Sequence, residues 1–312
     1  MTEEFMPSQP LETAVLFLVF NRLDVTKQVF SAIQQAKPPR LYIAADGART
    51  NKEGEAEKVA AVRDFIMQNI DWDCEVETLF REENLGCKYA VSGAINWFFQ
   101  HEEMGIILED DCLPSQSFFW FCEELLKRYK DDMRVWHVSG NNFQNGVVRG
   151  DSDYYFSKYN HIWGWATWAN RWRHYDVEMS DFSMFEEQQQ ILSIFTKKSS
   201  QKYWADVFQK VSNNKIDTWD YQWTYTVLAN SGLSILPNRN LISNMGFGEE
   251  ATHTLDAGSR YSKLKKHNIS LPMAHCRSVL FNYAADKYTE SQMFVEPSFA
   301  MRILRRIKRV LQ

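Results

Sequence analysis

The chain has 312 residues, 45% hydrophobic and 24% charged, with a formal net charge of −5, the balance of an ordinary soluble globular protein with room for one large domain or two small ones. Met301 to Gln312 carries five basic residues and no acid, which leaves −10 on the remainder and excludes a nucleic-acid footprint over the body. Cys74, Cys87, Cys112, Cys122 and Cys276 are odd in number and contain no CxxC pair, which argues against a disulfide framework or a zinc site and fits a reducing cytoplasm.

Residues 1–10 are polar. Ala14 to Phe20 (AVLFLVF) is a continuous apolar run without a basic region before it; it is too short for a signal peptide or a membrane span and predicts a parallel strand covered on both faces. It ends in Asn21-Arg22, ahead of a helical stretch with Asp24 as its cap and Pro38-Pro39 as its stop. Leu41 to Ala45 predicts a second strand ending in Asp46-Gly47, and Glu55 to Ile70 a helix. Cys74 to Phe80 predicts a third strand, followed by Asn84-Leu85-Gly86 and a helix through Gln100. Gly105 to Leu108 is the fourth strand. Such alternation, with every strand ending in polar residues and turn formers, predicts an α/β layer with a largely parallel sheet and a site along the carboxyl ends of its strands.

Further on, Phe118 to Tyr129 reads as helix, Arg134 to Ser139 as strand and Gly140 to Asn145 as an Asn-rich loop. The aromatics then thicken, with Tyr154 to Phe156 and HIWGWATWANRW from His161 to Trp172. Trp163, Trp165 and Trp168 cannot all face inward from one helix, which leaves two readings, core or the wall of an open pocket. Asp181 to Val211 reads as helical and polar, an outer face. Asp217 to Asn230 predicts a helix with Asp217, Asp220 and Tyr221 near its start and Trp219 and Trp223 on one side. Leu233 to Leu236 and Leu241 to Ser243 read as short strands, and Gly246 to Thr254 (GFGEEATHT) has the composition of a mobile loop.

The chemistry concentrates in Met104 to Pro114 (MGIILEDDCLP), where Glu109, Asp110 and Asp111 follow a buried strand without a break. Carboxylates there repel one another and resist desolvation, so a cation or hydrogen-bond donors must offset them. Alternation puts Glu109 and Asp111 on one side and Asp110 on the other. Hard oxygen ligands of this kind suit Mg²⁺ or Mn²⁺, which keep open positions for phosphate oxygens. Taken alone, an acidic triplet also fits a solvated turn. The glycines form neither a dinucleotide fingerprint nor a P-loop, so phosphate would fall to a metal, with Arg22 or Lys88 as supporting cations unless these are plain surface charges.

The order of motifs resembles the nucleotide-sugar-dependent glycosyltransferases of the GT-A fold, most closely the inverting N-acetylglucosaminyltransferase I type. The resemblance covers Ala14 to Thr254 and rests on LVFNRLD, IAADG, LEDD, WHVSGNN, IWGW, TWDYQW and GFGEEATHT in register. It implies a mostly parallel Rossmann-like sheet flanked by helices. It implies that Asp46 accepts a hydrogen bond from the nucleobase, with Asn21, Arg22 and Lys88 on the nucleotide side. Asp111 is then the direct metal ligand, Asp110 supports the ribose or metal, and Glu109 contacts the donor sugar. Asp220 becomes the general base, Trp163, Trp165 and Trp219 lie on the acceptor side, and His253 in the closing loop reaches the metal or diphosphate. TWDYQW lacks the adjacent pair of aspartates that the family shows, so Asp217 competes with Asp220 for the base. The membrane anchor of the Golgi relatives is also missing, which points to a bacterial-style enzyme.

These residue types suit inverting glycosyl transfer, in which a divalent ion neutralises the leaving diphosphate and one carboxylate deprotonates the acceptor hydroxyl. Helix-start carboxylates favoured by the dipole remain the plain alternative for Asp217 and Asp220. Phe299, Ile303, Leu304, Ile307, Val310 and Leu311 share a helical face beside Arg302, Arg305, Arg306, Lys308 and Arg309. That pattern suits either a packed terminal helix or one docked on an anionic membrane surface, as a lipid-linked acceptor would require. The expected division is a nucleotide-sugar half (1–139), an acceptor half with base and closing loop (140–260) and a C-terminal extension (261–312). The rival functions are a retaining transferase on the same fold and a carbohydrate-binding protein whose triplet holds a structural ion.

Overall fold

A strand as apolar as Val15–Val19 is stable only where layers cover both of its faces, and the chain places it at such a position. The computed structural model describes residues 5–246 and 264–294. In β1 (Val15–Val19), Val15, Phe17 and Val19 pack into one layer and Leu16 and Leu18 into the other. The alternation continues through α1 (Leu23–Ala36), β2 (Arg40–Ala45), α2 (Glu55–Asn69), β3 (Glu75–Phe80), α3 (Gly86–His101) and β4 (Met104–Glu109). The second half adds β5 (Cys112–Pro114), α4 (Gln116–Arg128), β6 (Val135–Ser139), β7 (Tyr154–Ser157), β8 (Trp165–Trp168) and the short helices α5 (Ala169–Trp172), α6 (Phe182–Glu187) and α7 (Ile191–Ile194). It closes with α8 (Lys198–Ser212), α9 (Asp220–Ala229), β9 (Leu233–Pro237), β10 (Ile242–Asn244) and α10 (Tyr283–Met293).

Eight strands form one sheet in the order β3-β2-β1-β4-β8-β6-β9-β7. The first four pair in parallel, and so do β6 and β9. β8 runs antiparallel between β4 and β6, and β7 runs antiparallel on the β9 edge. The α/β class and the mostly parallel sheet agree with expectation, and the sheet runs on without a break past residue 139. The chain grows from β1 out to β3 and then returns to set β4 on the other side of β1. This reversal opens a crevice at the carboxyl ends of β1 and β4. β5 and β10 pair antiparallel as a separate ribbon immediately beyond β4.

Three local readings need correction. Asp24 does not cap α1; Arg22 holds the cap position, and Asp24 lies in the first turn, where the helix dipole favours an acid. The stretch from Asp181 to Val211 is helical, in three helices, but is not simply a polar outer face, because Phe182, Phe185, Phe195, Trp204 and Phe208 gather with Tyr225 into an aromatic cluster of their own. Trp165 and Trp168 are core, since β8 is an inner strand of a covered sheet. The loop beyond Gly246 and the basic C-terminal helix lie outside the described residues. Among the described residues, no helix is long and apolar enough to cross a membrane.

Candidate active site

The crevice is where the acidic triplet sits. Arg22, the first basic residue after β1, reaches across to it: its Nη2 donates to Asp110 Oδ1 and, at 3.0 Å, to Asp111 Oδ2. Burial opposes the Arg22 charge, but the two aspartates outweigh it and raise the guanidinium pKa. One cation does not balance three acids. Burial raises the Asp110 carboxyl to about 6 against the pull of Arg22. Glu109 is pushed well above the ordinary glutamate value, by burial first and then by Asp111, Asp110 and Asp220.

The influence of Asp220 on Glu109 brings α9 to the same place. Asp220 is the first residue of that helix and accepts from the Thr218 hydroxyl. Cys87, in the first turn of α3, registers the same crowding. Its thiol is raised by burial and then by Glu109, Asp220, Asp217 and Asp46. The acids of β2, β4 and α9 therefore converge around the start of α3.

They do not all face the crevice in the same way. Asp46 accepts from Asn84 Nδ2 at 2.9 Å, from the Leu85 amide at 3.0 Å and from the Gly86 amide at 3.1 Å. Asp217 accepts from the Lys88 amide at 3.1 Å. Both thus satisfy orphan amides at the start of α3, whose own cap residue supplies no side-chain bond. Gly86 has φ +77, and a Cβ there would stand 3.2 Å from the Asp217 carboxylate, so this junction favours glycine.

A similar close approach seals the other side. A Cβ on Gly246 would lie 2.0 Å from Asp111 Oδ2, and the Met245 amide donates to the Asp111 carbonyl at 2.8 Å. Only a bare backbone passes this close to the carboxylate. Asn21 turns to Glu55, donating at 3.0 Å. Glu55 is held down to about 2, first by hydrogen bonding from the Arg49 side chain. Arg49 also lies 5.6 Å above the Phe20 ring. Sequence reasoning missed Arg49, Glu55 and Cys87, and no motif marks them.

Lys88 is not brought to the carboxylates. It is buried, and its Nζ donates to Glu178 at 3.0 Å and Asn214 at 2.8 Å. Trp165 and Trp219 are buried and stacked on each other at 5.6 Å. Of the expected acceptor-side tryptophans, Trp163 alone is partly exposed; its amide donates to Asn141 Oδ1 at 3.0 Å and its ring stands edge-on to Phe143 at 5.2 Å. His253 lies outside the described residues.

Among the described residues no three His, Cys, Asp or Glu side chains enclose a metal ion. Mg²⁺ and Mn²⁺ do not need such an enclosure, because one or two carboxylates plus water and phosphate oxygens suffice. Asp110 and Asp111 fit that requirement, with hard oxygens and a local excess of negative charge that Arg22 only partly offsets.

No protein-family model matches the chain, and no curated protein matches it in sequence. Solved structures resemble it in part. A mannosyltransferase from Pyrobaculum calidifontis, in complex with GDP-Man and Mn²⁺, is 11% identical over 74% of each chain, with a TM-score of 0.38. The galactosyltransferase LgtC, in complex with donor and acceptor sugar analogues, is 11% identical over 91% of this chain and 98% of its own, at 0.37. The glycosyltransferase GlyE of Streptococcus pneumoniae is 10% identical over 72% of this chain and 45% of its own, at 0.35. With likenesses of this size, the function of the chain has to be read from its own residues.

Proposed function

We propose that the chain is a metal-dependent inverting glycosyltransferase that moves a sugar from a nucleoside diphosphate sugar to a hydroxyl of a glycan or lipid-linked acceptor. A UDP-sugar such as UDP-GlcNAc is the donor proposed, and cell-surface polysaccharide the destination. The observation that carries this reading is the convergence of the triplet, Arg22 and Asp220 at the sheet's reversal point.

Asp111 and Asp110 would hold Mg²⁺ or Mn²⁺, which when bound supplies Lewis-acid neutralisation of the leaving diphosphate. The chain's own groups account for the remainder. Arg22 would add positive charge beside the phosphates, and Glu109 would contact the donor sugar. Asp220 takes the proton from the attacking hydroxyl, and a single base opposite the leaving group gives inversion. Asp217, committed to the Lys88 amide, serves as a helix cap in this reading.

The test is release of nucleoside diphosphate from a panel of sugar nucleotides, with the anomeric configuration of the product read by NMR. Asp220→Asn is expected to lower kcat by about 10²- to 10⁴-fold, the usual loss of a general base. Undiminished transfer by Asp220→Asn would remove the assignment, and a retained configuration would remove inversion.

A further inference from the structure

The described residues also enclose a cleft of about 1040 Å³ between α4, the N-terminal stretch around Phe5 and the segment 266–272. None of the carboxylates of the crevice lines it. Its charges are unevenly committed. Glu123 accepts from the Thr13 amide at 2.8 Å and from Lys127 at 3.2 Å, and Glu124 pairs with His275 at 2.8 Å. Arg239 is exposed and, among the described residues, its side chain makes no hydrogen bond or ion pair. Lys266 donates to the neutral carbonyl of Pro114 at 2.8 Å, and burial lowers its pKa from the ordinary lysine value, as expected of an ammonium without a counter-ion.

The backbone keeps these two cations together. Asn240, next to Arg239, donates from Nδ2 to the Lys265 carbonyl at 3.0 Å, and its own carbonyl accepts from the His267 amide at 2.8 Å. Lys266 lies between those two anchors. Phe5 and Trp120, ring to ring at 5.4 Å, add an apolar part to the lining. Two cations and two aromatic rings that line one cleft match an anion that carries an apolar portion.

We propose that this cleft is a second binding site, for a phosphate-bearing ligand whose phosphate lies between Arg239 and Lys266 and whose apolar part, where it has one, lies on Trp120 and Phe5. The inference stands apart from the transferase reading, because its test measures binding and not turnover.

The test is calorimetric titration of the full chain with inorganic phosphate and with decyl phosphate below its micelle concentration. It is run on the wild type, on Arg239→Gln/Lys266→Gln and on Asp111→Ala. Neither side chain belongs to the hydrophobic core, so unchanged thermal midpoints without ligand are expected and establish that the double variant folds. The proposal expects the double variant to bind about tenfold or more weakly, from loss of charge-assisted contacts, with Asp111→Ala unchanged. Tighter binding of decyl phosphate than of inorganic phosphate assigns a lipid phosphate; equal binding assigns the free ion. Undiminished binding by the double variant, loss in Asp111→Ala instead, or no binding of either ligand overturns the proposal.

Discussion

Asp217 and Asp220 are three positions apart and chemically alike, yet their surroundings differ. Asp217 spends an oxygen on the Lys88 amide, whereas Asp220 acts on Glu109 inside the crevice. Asp217→Ala is therefore expected to lower stability by about 1 kcal/mol, as for a lost helix cap, while transfer persists. Asp220→Asn is expected to keep the thermal midpoint and lose transfer; the reverse pattern would exchange the two roles. The triplet yields a prediction with a definite sign. A carboxyl whose folded pKa is raised favours the protonated folded state, so its contribution to stability falls as pH rises from the unfolded value through the folded one. For Asp110 that window runs from 3.8 to about 6, and Glu109 shifts in the same direction. Glu109→Gln is expected to raise the metal-free thermal midpoint by a few degrees at pH 8, about what 1 kcal/mol moves, with the gain shrinking towards pH 4. A variant less stable than wild type at pH 8 would show that Glu109 is not strained by its neighbours. The triplet was legible in the sequence because its members are contiguous. The capping by Asp46 and Asp217 was not, since it joins residues 39 and 129 positions apart.

Among the elements, β1, β2 and β4 were legible because each is an apolar run closed by turn formers, and β3, an edge strand with Glu75, Glu77 and Thr78 exposed, because turn formers bound it on the same spacing. β7 and β8 were not, because their aromatics fit a strand, a helix or a pocket wall equally well until neighbouring strands fix the period. β6 carries a buried histidine that the apolar pattern conceals. His137 Nε2 donates to the His161 carbonyl and lies 3.0 Å from Ser139 Oγ, while its Nδ1 takes the Trp223 indole N–H at 3.1 Å. Burial pulls both His137 and His161 down to about 3. A histidine with a lowered folded pKa contributes stability that is present above 6.5 and lost as pH falls from there towards 3. Compared with the wild type, His137→Gln is thus expected to lose less of its midpoint as pH falls across that window; an unchanged difference between the two across the window would contradict the assignment. The β10 end offers a steric test. Gly246→Ala pushes a methyl into Asp111, and stabilisation by nucleotide with Mn²⁺ should drop sharply if Asp111 holds the ion.

For the whole molecule, six strands of the eight-stranded sheet run one way and two the other, and the reversal between β1 and β4 gathers acids from distant parts of the chain. The basic residues of Met301 to Gln312 place a second demand on the assembly. If they dock on an anionic surface, removing residues 295–312 should abolish co-sedimentation with vesicles containing phosphatidylserine at low salt, each lost basic residue costing about 1 kcal/mol. Binding that survives the truncation would assign the surface elsewhere. The central claim, that the crevice holds a nucleoside diphosphate on a metal bound by Asp111, is tested most directly by thermal shift. UDP, GDP, CDP and TDP are each added with and without Mn²⁺ to the wild type and to Asp111→Ala. The account predicts that one nucleotide, UDP, raises the wild-type midpoint only with Mn²⁺, and that Asp111→Ala loses the effect. Stabilisation by Mn²⁺ alone, with no response to any nucleotide, would contradict it and make the triplet the site of a structural ion.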